Sequence, residues 1–338
     1  MEQQNQYVKQ FPDLMKEKTV MYLHGFGSSG QSGTVTRLRT ILPNAKVIAP
    51  DLPIHPTEAQ DLLRELCEKE KPDLILGTSM GGMYTEQLYG FDRICMNPAL
   101  CLADTMQQHG MTGTQTFQNP RLDGIQQVYV DKALVKEYRQ VSEQRFSGFT
   151  EEERARVYGL FGDKDELVDT FDMFHEYYPL ATHFHGEHRM DDRSFMHAVV
   201  PVIRWIDDKQ EHRQRPIIYI GIECLTAHSL LLEKEQKPVS SAQKAVRIFI
   251  EDYDVYFVAD ANETIVSTWL EEYINVPAWQ HTIYTPRRDL LYGDYLIEGQ
   301  GARGRGQESS LATVIEYGSD TFKTWEDIIE YFSRLGGQ

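Results

Sequence analysis

The sequence predicts an α/β protein of two domains: a first domain over residues 1–208 with a mainly parallel sheet and a small helical lid, a linker over 209–216, and a second α/β domain over 217–338. Three observations carry this expectation. Short apolar runs alternate with helical stretches between residues 19 and 207. A glycine-flanked serine, Gly77-Thr78-Ser79-Met80-Gly81, stands where one apolar run gives way to a helical stretch. A charged segment ending in Pro216 then interrupts the alternation, and a new apolar run begins at Ile217.

The runs at 19–24, 46–50, 73–76, 93–96, 156–161 and 181–185 read as strands covered by helices. Between 97 and 153 the rhythm breaks into a polar, Gln-rich, partly helical insertion with no strand pattern, placed to roof the C-terminal ends of the strands as a lid. A helix over 194–206 closes the first domain. The second opens with a strand over 217–220, continues through 256–258 and ends in a helix over 325–335. The glycine-rich run 299–307 is low in complexity and reads as a mobile loop.

A chain of 338 residues with 41% apolar content can bury sizeable cores. Its 51 acidic against 34 basic residues give a net charge of −17, a field that repels phosphate backbones and anionic lipid, so neither a nucleic-acid nor a membrane partner is expected. Cys67, Cys95, Cys101 and Cys224 form no C-x-x-C pair, which fits a reducing compartment. Residues 1–6 are too polar for a signal peptide and no apolar stretch approaches the roughly 18 residues of a spanning helix, so a soluble cytoplasmic protein is expected.

Gly25-Phe26-Gly27-Ser28-Ser29-Gly30 admits three readings. It matches G-x-G-x-x-G after a strand, with Asp51 where a ribose-binding acid would lie. It resembles a phosphate-binding loop with Gln31 in place of the lysine, which removes the main counter-ion of a nucleoside triphosphate. With His24, it also reads as a strand-end turn whose backbone N–H faces a developing oxyanion. The decision comes from Ser79: G-x-S-x-G between the strand Leu74-Ile75-Leu76 and the helical stretch from Met83 holds a serine in a strained turn, exposes its Oγ and lets the Met80 N–H face the oxyanion.

Such a nucleophile needs an acid and then a histidine further along the chain. Gly162-x-x-Asp165-x-x-Val168 has the usual spacing for the acid and selects Asp165, with Asp163 next; His188, in the loop before the closing helix, is the base. His183, His185 and His188 with Asp191 and Asp192 could be drawn as a metal cluster, but residues so near in sequence more often have separate roles, and no metal or cofactor is expected. His24 is expected to buttress its turn, and His197 to be a packing or surface residue of the helix.

Together Tyr22-Leu23-His24-Gly25-Phe26, Ser28-Ser29, Pro50-Asp51-Leu52-Pro53, Gly77 to Tyr84, Asn97-Pro98-Ala99, Gly162-Asp163 with Asp165, and Gly186-Glu187-His188 resemble the YqiA/YcfP-like esterases of the α/β-hydrolase superfamily over about residues 18–207. The resemblance implies a serine esterase or thioesterase with nucleophile Ser79, acid Asp165, base His188, and an oxyanion hole made by the Phe26 and Met80 N–H groups. The longer insertion around 104–117 and the extra residues after His188 depart from the family pattern and leave its small-molecule substrate open.

In the second domain Pro216 to Thr226 has the strand-then-loop shape that opens a haloacid dehalogenase (HAD) domain, and with Val255 to Ala261, Thr285 to Leu291, Gly293 to Glu298 and Phe322 to Asp327 it is similar to HAD-like deoxyribonucleotidases. Those phosphatases carry Asp-x-Asp, where this chain has Gly221-x-Glu223. Gly221 cannot be phosphorylated, Ala259 replaces a hydroxyl, and only Asp294 and Glu298 remain as oxygen ligands, too few for magnesium. The resemblance therefore implies a pseudophosphatase: a scaffold, a homo-oligomer contact, a ligand sensor, or a domain that only stabilises the hydrolase. The rival to an ester hydrolase is a regulatory or ligand-binding protein with a gated or inactive first domain. Most of the aromatic cluster that includes Tyr253, Tyr256, Trp279 and Tyr292 reads as core and interface packing, and one Arg303-Gly304-Arg305-Gly306 copy does not support RNA binding.

Overall fold

The computed structural model of the chain describes residues 8–227, 237–278, 280–300, 302 and 312–335. The chain divides into two compact units, Met1–Asp207 and Asp208–Gln338. In the first, β1 (Thr19–Leu23), α1 (Gly33–Ile41), β2 (Lys46–Ile48), α2 (Pro56–Glu70), β3 (Leu74–Thr78), α3 (Met80–Glu86) and β4 (Arg93–Met96) are followed by an insertion. It holds α4 (Leu102–Gln108), β5 (Gly113–Thr116), β6 (Gln127–Val130) and α5 (Lys132–Ser142). Then come β7 (Val157–Gly162), α6 (Phe171–His175), β8 (Ala181–Phe184), α7 (Asp192–Ser194), a π turn over Phe195–Val199 and α8 (Val200–Gln210).

Six of these strands form one sheet in the order β2-β1-β3-β4-β7-β8, parallel throughout. β3, β4 and β7 are buried almost end to end, as their near-continuous apolar sequence requires of strands covered on both faces. The exception is Arg93 in β4: fully buried, it pairs with Glu153 and donates to the Thr85 and Glu86 carbonyls that end α3. The chain leaves β1 toward β2 on one side and reaches β3 on the other. A crevice at the C-terminal ends of β1 and β3 follows from that reversal, since the two following loops diverge there.

The insertion departs from expectation, for β5 and β6 pair as an antiparallel hairpin, Gly113 opposite Val130. Each strand has four residues, and only Val128 and Val130 turn inward, so the alternation is too short to stand out. The closing helix also differs. Asp191 caps it by accepting from the Ser194 N–H at 2.6 Å, two residues ahead of the expected start, and a π turn interrupts it.

The second unit contains β9 (Ile217–Gly221), α9 (Ala242–Asp252), β10 (Asp254–Ala259), α10 (Glu263–Trp269), β11 (Thr282–Tyr284), β12 (Tyr295–Gly299), β13 (Thr313–Tyr317) and α11 (Trp325–Leu335). Its sheet is also parallel, in the order β11-β10-β9-β12-β13, which puts the reversal between β9 and β12. α9 and α11 close one core around Phe249, Trp325 and Phe332. Most of the run 299–307, expected as a mobile loop, lies outside the described residues, as does Trp279. Tyr292 is 70% exposed and lies outside the core of this unit.

Candidate active site

Ser79 occupies the turn between β3 and α3 with φ 55° and ψ −116°, a region costly for any residue with a Cβ. The flanking glycines are sterically required. A Cβ on Gly81 would overlap the Leu23 carbonyl, and one on Gly77 would overlap the Gly81 carbonyl and Thr85 Oγ1. Ser79 donates its N–H to the Met96 carbonyl at 3.0 Å, and its own carbonyl accepts from the Met83 and Ala99 N–H groups. The strained turn is thus held from β4 and from its own helix.

The loops after β7 and β8 bring the acids and histidines together in two separate pairs. His188 Nδ1 lies 2.7 Å from Asp165 Oδ2, with both side chains largely buried. The other Asp165 oxygen accepts from the Leu167 and Val168 N–H groups at 2.8 and 3.0 Å, which fixes the carboxylate. Asp163 serves His185 instead, at 2.9 Å and in a more exposed position, and accepts from the Gly186 N–H. With one imidazole nitrogen directed at Asp165, the other nitrogen of His188 remains for proton transfer.

Asn97, named in the sequence only as part of a motif, organises this region. It is 1% exposed and follows β4 with φ 44°, a conformation that asparagine tolerates better than most residues. Its Oδ1 accepts from the Gly162 N–H at 2.7 Å while its Nδ2 donates to the His188 carbonyl at 3.0 Å and, more weakly, to that of Glu187 at 3.3 Å. The acid loop, the histidine loop and the end of β4 thereby share one side chain. A lone buried asparagine has no periodic signature, and only its place after a strand could have marked it.

Ser79 and His188 line one cavity of about 570 Å³, together with Phe26, residues of the α1 N-terminus and polar residues of the insertion. Gly25 runs closest to the serine: a Cβ there would stand 3.3 Å from Ser79 Cβ. His24 anchors this loop, with Nδ1 donating to the Gly25 carbonyl at 2.9 Å and Nε2 accepting from the Leu52 N–H at 3.0 Å. Burial pushes its pKa down to about 4, so it is a neutral strut near pH 7. The insertion pins the same loop through Gln118 N–H to the Gly27 carbonyl, Asn119 to Ser28 Oγ, and Ser29 Oγ to the Pro120 carbonyl. The polar insertion sequence gave no sign of these contacts.

Asp51, the acid of the dinucleotide reading, accepts from the Gly30 N–H at 2.7 Å and the Leu122 N–H at 2.6 Å. Both its oxygens hold the loop to the insertion, which leaves that reading without its ribose ligand. The histidines drawn as a metal cluster also separate. His183 packs 4.1 Å from the Phe171 ring, His185 faces Asp163 and Lys164, and His188 faces Asp165.

In the second unit, Glu223 lies just beyond the end of β9, at the sheet's reversal. Its carboxylate is gripped by Arg288 through two contacts of 2.5 and 2.7 Å and accepts from the Gly299 N–H at 3.0 Å. Burial alone would raise its pKa, yet the Arg288 guanidinium outweighs that and holds it below the usual carboxylate range. A Cβ on Gly221 would run into this carboxylate, so Glu223 fills the space beside Gly221. Glu298 stands 3.8 Å from Arg288 in the same cluster. Asp294 does not. Its Oδ2 accepts from the Ile217 N–H at the opposite end of β9, so the expectation that it remains an oxygen ligand beside Gly221 is overturned by strand direction.

Residues 19–205 match the profile of the uncharacterised protein family UPF0227. The chain is also similar to the Paleococcus ferrophilus monoacylglycerol lipase, at 14% identity over 57% of this chain and 96% of that one with a TM-score of 0.40. A second similar structure is the thioesterase domain from the curacin biosynthetic pathway, at 15% identity over 53% and 87% with a TM-score of 0.34. A further 103 residues are 24% identical to a putative 5′(3′)-deoxyribonucleotidase of Vibrio phage KVP40, over 29% of this chain. The chain spans about three fifths of the length of that relative, 59%.

Proposed function

The chain belongs to the uncharacterised protein family UPF0227, and from that premise we propose that its first unit is a serine hydrolase of carboxylic esters or thioesters. One observation carries the reading: His188 is oriented by Asp165 at 2.7 Å in the same cavity that Ser79 enters from a strained turn. The free nitrogen of His188 takes the Ser79 proton as Oγ bonds to the carbonyl carbon. The Phe26 and Met80 N–H groups receive the charge that moves onto the carbonyl oxygen, each contributing about 3 kcal/mol at the transition state. The tetrahedral centre collapses, the bond to the alcohol or thiol breaks, and His188 protonates the leaving group. Water then attacks the acyl-enzyme, again giving its proton to His188, and the acid departs with Ser79 restored.

The second unit is read as a HAD-like domain without phosphoryl transfer, because Gly221 has no nucleophilic atom and the Glu223–Arg288 pair occupies the space beside it. The test of the hydrolase is labelling with a fluorophosphonate probe alongside turnover of short p-nitrophenyl esters. Wild type should label and turn over, and Ser79→Ala and His188→Ala should do neither. A folded wild type that does not label would sink the reading and favour a regulatory ligand-binding protein.

A further inference from the structure

The cavity that holds Ser79 is lined by Arg37 and Arg189 and by no Asp or Glu among the described residues, in a chain of net charge −17. One part of its wall is the start of α1, a nine-residue helix. Ser32 occupies the N-cap position, where a serine oxygen ordinarily accepts from an N–H of the first turn. Here it makes no such bond. Ser32 is 6% exposed, and its Oγ is buried with no hydrogen-bond partner. A buried hydroxyl without a partner is costly unless a ligand supplies one.

Other polar groups surround this position. The Tyr22 hydroxyl donates to Thr78 Oγ1 at 3.2 Å and stands among the hydroxyls of Ser32 and Thr34, facing Arg37. Arg37 is held in place by Asp192, which meets both Nε, at 2.6 Å, and Nη2, and by the Phe195 ring, 5.1 Å from its centroid. Arg189 adds a second cation, its Nη2 donating to the neutral Gln118 carboxamide at 2.6 Å. The first N–H groups of a helix, a guanidinium and a ring of hydroxyls make a receptor for a small anion.

We propose that Ser32, Tyr22, Arg37 and the α1 N-terminus form a subsite for a compact anionic group, a carboxylate or a phosphate, on the substrate that Ser79 attacks. This rests on the hydrolase reading for the substrate's reacting bond, while the anion site itself can be tested without turnover.

Two matched ester pairs test the specificity: mono-p-nitrophenyl glutarate against p-nitrophenyl pentanoate places the anion on the acyl side, and 4-(2-carboxyethyl)phenyl butyrate against 4-butylphenyl butyrate places it on the leaving group. The charged member of one pair is expected to have a kcat/KM at least about tenfold higher, the scale of one charge-assisted hydrogen bond. That ratio should fall at least about fivefold in Arg37→Gln and in Ser32→Ala, and Arg37→Lys should restore part of it. Calorimetry on the Ser79→Ala protein, titrated with inorganic phosphate and separately with glutarate, reads the subsite directly. Binding of phosphate alone assigns a phosphorylated substrate, binding of glutarate alone a dicarboxylic half-ester, and either should disappear when Arg37→Gln is added. No charge preference in either pair together with no anion binding overturns the proposal, as does a preference that survives both Arg37→Gln and Ser32→Ala. If no ester turns over and Ser79 does not label, the hydrolase reading fails by itself. Calorimetry then still upholds the anion site if binding depends on Arg37, and overturns it if nothing binds.

Discussion

The imidazole of His188 directs Nδ1 at the Asp165 carboxylate 2.7 Å away, in a loop where the acid two residues earlier serves a different histidine. Because Asp165 also accepts from the Leu167 and Val168 N–H groups, its substitution by asparagine would present a donor to groups that need an acceptor. Asp165→Asn is therefore expected to lower kcat by about four orders of magnitude, the size seen when a triad acid no longer fixes the tautomer. Asp163→Asn disturbs the exposed His185 pair and the Gly186 N–H contact, neither of which includes His188, and should stay within about threefold of wild type. Steady-state kinetics on the two variants decides which acid orients the base, and equal losses would remove the distinction.

Asn97 ties three loops with one side chain, so its truncation should act on stability and activity together. Asn97→Ala leaves the Gly162 N–H and the His188 carbonyl without their partner and is expected to cost roughly 2–3 kcal/mol in urea unfolding. The His188 loop would lose its tether to β4, and kcat should drop about tenfold through misplacement of the base. A variant that loses stability but keeps its kcat would show that the tether supports the fold alone.

His24 makes a separate pH prediction. Its imidazole is held neutral in the native state down to about pH 4, whereas in the unfolded chain it protonates near 6.5. Between those values the unfolded state binds more protons, so stability rises with pH there: the contribution is complete above about 6.5 and is lost as pH falls toward 4, up to about 3 kcal/mol. Urea midpoints of wild type and His24→Gln across this window should diverge, with the variant less dependent on pH. Parallel curves would mean that another group controls the acid limb.

How much of this was legible in the sequence depended on the kind of signal. The sequence pattern places β4 at 93–96 and α11 at 325–335, the bounds the structure has, because an apolar run and an amphipathic pattern are local properties. The Ser79 turn was legible because its glycines answer to steric overlaps within a few residues and with one adjacent strand. The β5–β6 hairpin was not, since four polar or half-polar residues carry almost no period. Asn97, Asn119 and the unpartnered Ser32 were invisible as site elements for a different reason: their partners, or lack of them, arise from segments up to 91 residues away. Asp294 was misplaced because a motif records order along the chain and not which end of a strand a side chain occupies.

Ser32→Ala should be harmless to the fold, contrary to the usual behaviour of an N-cap serine. Such substitutions typically cost about 1 kcal/mol because a cap hydrogen bond is lost. Ser32 makes no cap bond, and its Oγ has no partner to lose. Removing a buried, unsatisfied hydroxyl is expected to leave stability within about 0.5 kcal/mol of wild type or to raise it. A loss near 1 kcal/mol in chemical denaturation would reveal a hydrogen bond to Ser32 in solution.

Gly221 and Glu223 are coupled through space that only one of them can fill. A methyl group on Gly221 would run into the Glu223 carboxylate, which is the far end of a flexible side chain and could swing aside if it were not gripped by Arg288 and the Gly299 N–H. Gly221→Ala must therefore weaken that grip and is expected to cost about 1–2 kcal/mol, less than a fully buried pair because Glu223 is about a third exposed. With Glu223→Ala already present the obstruction is gone, while Arg288 keeps Glu298 nearby, so adding Gly221→Ala should cost little. A double-mutant cycle on urea unfolding should give a coupling of about 1 kcal/mol between the two positions. Strict additivity would mean that Glu223 does not occupy the space beside Gly221, and the case against phosphoryl transfer in this unit would then rest on the missing nucleophile alone.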